Sequence, residues 1–594
     1  MDAVRLKISK SKHAQSLYVI RSTYVNGKHS SKVVEKLGTY DELKKLHPDP
    51  IAWAKEYIQS LNEQEKAASR DVILRFKQSK SLPKDRRRLM CGGYLFLQQL
   101  YHQLRFPQLC ESIARRHKFQ FNLDAILSRL IYSRVLYPSS KVSTFQFSQN
   151  PSSKVSTFQF SQMLLEPPDF QLHQIYRALG ILAQESDFIQ AQLYRTGTEL
   201  GNHNNRILYY DCTNFFFEIE QEDGFRQYGP SKEHRPNPIV EMGLFLDGDG
   251  IPLAFCIHSG NTNEQVTLQP LEEKILHDFS LSQFVVCTDS GLSSLSNRQF
   301  NTKGGRAFLT TQSLKKLKGH LRQWALNPKG WHLCGSSDRN EYNLDDINAC
   351  DAADPEDNPY RSQTFFKERW INEDDLEQHL IVTFSLKYKH YQQHIRNQQI
   401  QRACQAMETH VSSLKKYHAN DFKRFIKKTR ITPDGEVAEK EVYTLDQERI
   451  EQEAKFDGFY AVCTSLDDAP QDIIRLNQRR WEIEESFRIM KTEFKARPVY
   501  LSREDRIRAH FLICFLSLMI YRYLEKKTHY AFTTKELITG IRNLNFLEAP
   551  TGDYIPTYTR TDVTDALHEA FGFRTDYEVL SASQMKKIIK ASKL

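Results

Sequence analysis

Gln471–Phe494 reads QDIIRLNQRRWEIEESFRIMKTEF. It holds no Pro or Gly and is rich in Glu, Arg, Lys, Ile and Met, which predicts one long helix. Leu476, Ile483, Phe487, Met490 and Phe494 form its apolar side. At about 3.6 residues per turn, Asn477, Arg480, Glu484, Arg488 and Lys491 share one stripe. One carboxylate is thereby flanked by cations one turn before it and one and two turns after it. A solvated face of ordinary i,i+4 ion pairs gives the same pattern, so the weight falls on acids elsewhere in the chain.

Two such acids stand out. Ile207–Glu220, ILYYDCTNFFFEIE, is a β-branched and aromatic strand with Asp211 near its middle. A bare carboxylate in a buried strand costs several kcal/mol unless it is paired or metal-bound, although a turn cap made with Thr213 would also account for it. Phe284–Asp289, FVVCTD, is a second buried strand running into SGLSS. It sets Asp289 at a strand's carboxyl end, where chemistry collects in α/β sheets. Acids on strand, strand and helix suit hard divalent cations, which take oxygen ligands and serve in-line displacement at phosphorus. Between the strands, a hairpin turns at Asp247–Gly250 (DGDG). The Pro-bounded loop YGPSKEHRPNP (Tyr228–Pro238) offers Lys232, His234 and Arg235 to phosphates or to solvent, and GNTNE follows at Gly260–Glu264.

These features together resemble the DDE transposases of bacterial insertion sequences, in the group whose catalytic helix carries a Tyr-x2-Arg-x3-Glu-x6-Lys signature. Asn477, Arg480, Glu484 and Lys491 stand at those spacings, with Asn in place of Tyr, and Trp481 after the Arg also fits. Asp211-Cys-Thr-Asn and VVCTDSGL match the first and second acids. The GN-x-x-E segment, the YG-x-SK loop, Val34–Gly38 and the P-SSK element are further likenesses. The resemblance implies an RNase H-like catalytic core, a mixed five-stranded sheet with helices on both faces, with a β-rich insertion and a mainly helical N-terminal region. Asp211, Asp289 and Glu484 would then hold two Mg²⁺, with Mn²⁺ able to substitute. Asn477, Arg480, Lys491, Arg488, Lys232, Arg235 and Trp481 would meet DNA at transposon ends, and the chain would act on ends and target as a homodimer at synapsis. An inactive DNA-binding derivative and a nuclease without strand transfer are the alternative readings.

Length and composition are compatible with this. The 594 residues predict several domains: a basic 1–90 region, a helical 91–205 domain, a core split between 206–300 and 457–530, a 301–456 insertion, and a helical 531–594 tail. Residues 1–90 hold 20 Lys or Arg against 10 Asp or Glu, matching the whole chain's net +9 and suiting a polyanion. The most apolar stretch, Phe511–Tyr521, is short and flanked by charge, so a core helix is expected and no membrane partner. No signal-like run opens the sequence. Ten Cys without CxxC or Cys/His spacing argue against structural zinc and fit a reducing cytoplasm, where such a protein would join the nucleoid. Within the insertion, Trp331 and Trp370 are candidates for stacking an extruded base, with core packing as the alternative. Pro138–Gln149, PSSKVSTFQFSQ, recurs at Pro151–Gln162. One tandem copy is expected to fill the native position while the other loops out.

Overall fold

The computed structural model describes every residue except 1–3, 11–14, 26–27, 69–73, 75–77, 80, 82–83, 85–86, 139–152, 202, 337–339, 355–357, 409–420 and 432–436. The chain divides into two compact units.

In the first unit, β1 (Val4–Lys10), β2 (Gln15–Val25) and β3 (Lys28–Thr39) form an antiparallel meander, followed by α1 (Tyr40–Lys44) and α2 (Pro50–Ala68). Leu17 and Val19 are fully buried on one sheet face, against Leu43, Ala54 and Ile58 of the helices. The expected Asn26–Gly27 turn lies outside the described residues.

In the second unit, β4 (Leu89–Cys91) precedes a helical run: α3 (Tyr94–Gln103), α4 (Phe106–Arg116), α5 (Leu123–Leu136), α6 (Ser153–Ser161), α7 (Leu172–Gln184) and α8 (Ser186–Glu199). The second copy of the repeat supplies α6, where Phe160 is buried and Thr157 shares a 3.0 Å hydrogen bond with Ser133 of α5. Most of the first copy lies outside the described residues.

The central sheet is then built from β5 (Ile207–Phe216), β6 (Ile239–Asp247), β7 (Pro252–Ser259), β8 (Val285–Thr288) and β9 (Ala307–Thr311), with α9 (Leu268–Asp278) crossing from β7 to β8 and α10 (Leu295–Phe300) from β8 to β9. β5, β6 and β7 are antiparallel neighbours, while β8 and β9 add parallel to β5 on its other side.

The sheet does not stop at five strands. Beyond β9 come β15 (Phe459–Thr464), β12 (Leu376–Phe384), β11 (Phe365–Glu373) and the short β10 (His332–Leu333), making nine. The expectation of five strands is corrected by this, and so is that of a separate β-rich insertion: β15 hydrogen-bonds onto the edge of β9, and the insertion's β12, β11 and β10 continue the same sheet from β15. α11 (Gly319–Leu326) and α12 (Leu344–Ala353) cover this extension, with Trp331, Phe365, Leu380 and Phe384 in a shared core. The rest of the 301–456 stretch forms α13 (Leu386–Glu408), a ribbon of β13 (Ile426–Ile431) with β14 (Val437–Leu445), and α14 (Gln447–Ala454).

The expected single helix is also corrected. α15 (Pro470–Gln478) ends at Arg479–Arg480, and α16 (Trp481–Arg488) starts anew before a π-turn over Ile489–Glu493. At the break, Arg479 and Arg480 N–H groups reach back only three residues, to Leu476 and Asn477 carbonyls at 3.2 Å. Arg479 meanwhile pairs with Glu482 at 2.9 Å. Neither Gly nor Pro causes the break; the tight turn and the ion pair accompany it.

α17 (Glu504–Lys527) is long and apolar enough to cross a bilayer, but 94% of its apolar window is buried against α3, α5, α7 and β7. His510 within it is a satisfied core residue, bonded to Arg134 at 3.3 Å and the Ala496 carbonyl at 3.1 Å. Because α17 packs on both the sheet and the helices of 91–205, those segments form one unit, not the separate domains expected. α18 (Thr534–Asn543), β16 (Asn545–Glu548), which pairs with β4, and α19 (Asp562–Phe571) complete the elements needed here.

Candidate active site

Side chains alternate across a strand, so Tyr209, Asp211, Thr213 and Phe215 share one face of β5. α16 lies over that face. Tyr209 donates to the Leu476 carbonyl of α15 at 3.1 Å, and Lys491 donates to Thr213 Oγ1 at 2.7 Å from beyond α16. The opposite face carries Tyr210 and Cys212 into an apolar core with Thr267.

The parallel register sets the second acid. Tyr209 pairs with Cys287 as the last matched position of β5 and β8. Asp211 and Asp289 each stand two residues past it, on strands about 4.8 Å apart. The Asp289 carboxylate accepts from the Gly291 and Leu292 N–H groups at 2.9 and 3.1 Å, which fixes the turn after β8. Glu484, more exposed at 62%, lines a 320 Å³ cavity with Asp211, Thr213, Lys232, Lys491 and Arg497; Asp289 is not part of that lining. Arg480 sits 3.6 Å from the Glu484 carboxylate.

The electrostatics are those of crowded acids. Burial, together with the charge of Asp289, pushes the Asp211 carboxyl up to about 6 against the partial relief of Lys232 and Arg480. Glu241 on β6 is pushed up to about 7 by burial and by Glu264. Lys232 bonds Glu264 at 3.0 Å and the Cys212 carbonyl; burial opposes its charge, but Asp211 and Glu264 outweigh that and raise its pKa. Burial and neighbouring Lys232 lower Lys491 to about 8. The donor set of Asp211, Asp289 and Glu484 is all carboxylate oxygen, and the cost of charging Asp211, set first by burial and then by Asp289, is what a hard cation would offset. Among the described residues, the group with ligand atoms within 4.8 Å of one another is instead Asp565, His568 and Asp576. Arg560 and Arg574 already pair with those carboxylates, so we assign no metal there. The three sheet-and-helix acids are set more widely.

An acid whose pKa is raised in the fold stabilises it below its ordinary value of 3.8, and that contribution is lost as pH rises through about 6. Asp211→Asn is therefore expected to stabilise the metal-free protein by about 1–3 kcal/mol at pH 8, the gap closing toward pH 4. Thermal melts in chelator across that range check the sign; a variant less stable than wild type at pH 8 contradicts it.

The other predicted residues divide. Arg488 and Trp481 are exposed, at 66% and 56%. Arg235 is exposed and stacks 4.4 Å over Phe216. Asn477 is 8% exposed and donates to the Tyr460 hydroxyl at 3.0 Å, and it lines a 300 Å³ pocket with Arg480, Trp481 and Glu484. Trp331 is fully buried, whereas Trp370 is 43% exposed and stacks on His379. Sequence reading missed Arg522, buried in α17, which donates to Ser486 at 2.8 Å and the Glu482 carbonyl at 3.1 Å and so pins α16 from below. It also missed Glu233, which bonds Lys491 and Arg497. The Glu264 role was signalled only by the GNTNE segment.

The family model of the transposase DDE domain matches residues 205–520, the stretch that contains the sheet, the extension, α15, α16 and most of α17. The chain belongs to that family, whose members are DNA transposases and generally use divalent metal ions. No curated protein matches it. Among solved structures, a piggyBac transposase in a synaptic complex with hairpin DNA is similar at 9% identity, covering 85% of this chain and 86% of that chain with a TM-score of 0.35. So loose a likeness carries no argument about mechanism.

Proposed function

We propose that this protein cuts and joins DNA at insertion-sequence ends through Asp211, Asp289 and Glu484, on an RNase H-like core. The observation that carries the reading is the matched position of Asp211 and Asp289 past the end of the β5–β8 ladder, with Glu484 lining the cavity of Asp211. The 3-2-1-4-5 order of β5–β9, with β6 alone running antiparallel to the other four strands, supports the core assignment. Two Mg²⁺, or Mn²⁺, held by the three acids would activate the attacking oxygen and neutralise charge at phosphorus. Arg480 keeps Glu484 beside the cavity; Lys491, still largely protonated at pH 7, sets a cation over Asp211's strand between Thr213 and Glu233. Arg488, Trp481 and Arg235 offer an exposed wall to the duplex backbone. Lys232 is a cation delivered to Asp211 by its loop. Action on two ends requires two such centres, and a homodimer supplies them.

A plasmid bearing the element's own ends tests this. Metal-dependent nicking at the ends followed by joining to target is expected. Binding without cleavage in Mg²⁺ or Mn²⁺ would identify an inactive derivative, and cleavage without joining a nuclease.

The loop that carries Lys232 depends on a close backbone approach. A Cβ on Gly229 would meet the Gly260 carbonyl oxygen at 1.8 Å. Gly229→Ala must therefore part the loop from GNTNE and carry Lys232 away. Misplacement by about 1 Å costs on the order of 10²-fold in rate, so that loss in nicking is expected with the fold retained by circular dichroism. An undiminished rate would exclude Lys232 from the machinery.

A further inference from the structure

Among the described residues, the helices α1 and α2 cover one face of the β1–β3 sheet. The antiparallel register places Val4, Leu6, Leu17, Val19 and Glu35 on the side of α2, where Glu35 accepts from the Tyr57 hydroxyl at 3.2 Å. Arg5 opposite Ile20, Lys7 opposite Tyr18, and Lys36 and Val33 beside them on β3 occupy the other face. Arg5, Lys7, Val33 and Lys36 are exposed there. Val4–Thr39 contains eight Lys or Arg and one acid, and that acid is Glu35, on the helix side.

We propose that this outer face reads duplex DNA from the major groove. The proposal rests on the transposase reading above and deepens it by naming the surface that recognises the ends. Three strands at about 4.8 Å spacing span roughly 10 Å, within a groove about 12 Å wide. Residues two apart on a strand are about 6.8 Å apart, close to two base-pair steps of about 3.4 Å, so Arg5 and Lys7 meet successive step pairs in register. Tyr18, Ile20 and Val33 form the apolar strip between the cations, suited to thymine methyl groups. A face with cations, no acid and a central apolar strip complements a polyanion that also carries readable edges. A partner protein of ordinary mixed charge has no such need for an acid-free face.

The test uses the full chain and labelled duplexes tiling the DNA that flanks the gene, with an unrelated duplex as reference, followed by fluorescence anisotropy across a salt series. The triple variant Arg5→Ala, Lys7→Ala, Lys36→Ala is expected to bind the end duplex at least about tenfold more weakly. Its salt slope should fall by roughly 1 for each phosphate left without its cation. A control triple on the helices, Lys44→Ala, Lys45→Ala, Lys55→Ala, removes equal charge and is expected to bind as wild type does. Tyr18→Ala should narrow the ratio of end to unrelated binding with the slope unchanged. Equal weakening in both triples, or none in the face triple, overturns this surface while leaving the catalytic reading intact. Failure of the wild type to bind any duplex overturns both.

Discussion

Replacing Glu484 with Ala is expected to lower end cleavage by at least about 10³-fold, equivalent to about 4 kcal/mol of transition-state stabilisation. Binding of the end duplex should stay within about twofold of wild type. The split follows from where the residue sits. Its side chain is 62% exposed and its ion pair with Arg480 spans 3.6 Å. Exposed substitutions of this kind change stability by only about 0.5 kcal/mol. Loss of cleavage with the melting temperature unchanged therefore isolates chemistry from folding. Gel-resolved nicking with Mg²⁺, alongside a thermal melt, measures both. Equal cleavage by the variant would mean that the third acid is another residue, and Glu482, raised in pKa by burial, would be the next to test.

Trp331→Ala is expected to be the most destabilising of these substitutions, by about 3–5 kcal/mol. Trp331 is fully buried in the extension's core. Its indole N–H donates to the Asn327 carbonyl at 2.9 Å, Phe459 tilts against it at 5.7 Å, and the Lys367 ammonium lies 4.9 Å over its ring. Burial has lowered Lys367 to about 8, and removing the ring would leave that cation facing a cavity. The midpoint of thermal unfolding should drop by several degrees. Trp370→Ala, at a half-exposed ring stacked 4.9 Å from His379, should change stability by about 0.5 kcal/mol or less. A small effect at Trp331 would return it to the base-stacking candidates and remove it from the core.

The residues nearest the proposed chemistry were also the most legible in the sequence. ILYYDCTNFF and FVVCTD announce themselves because an acid in a β-branched run is costly and therefore conspicuous. α17 was legible for the opposite reason, as a long apolar stretch that only a core can hide. The break at Arg479–Arg480 was not, since nothing there disfavours helix locally; the turn is joined to an Arg479–Glu482 pair and to packing on β5. Strand β9, AFLTT, is five residues between loops, too short to show its partner. β11 and β12 look like a second domain in sequence because they pair with each other as a local hairpin, while the pairings that tie them to the core, β12 with β15 and β15 with β9, join residues far apart along the chain. Arg522 was invisible inside an apolar run, and only its bonds to Ser486 and Glu482 give it meaning. The duplicated PSSKVSTFQFSQ was plain, and the second copy forms α6, where Thr157 meets Ser133.

The most direct test of the proposed centre is the metal preference of Asp289→Cys. A thiolate is a softer ligand than a carboxylate and discriminates against Mg²⁺. If Asp289 ligates the metal, the variant should nick the end duplex with Mn²⁺ at least about tenfold faster than with Mg²⁺, relative to the same ratio for wild type. An unchanged ratio, whether from equal activity or equal loss in both metals, would contradict metal ligation by Asp289 and with it the triad.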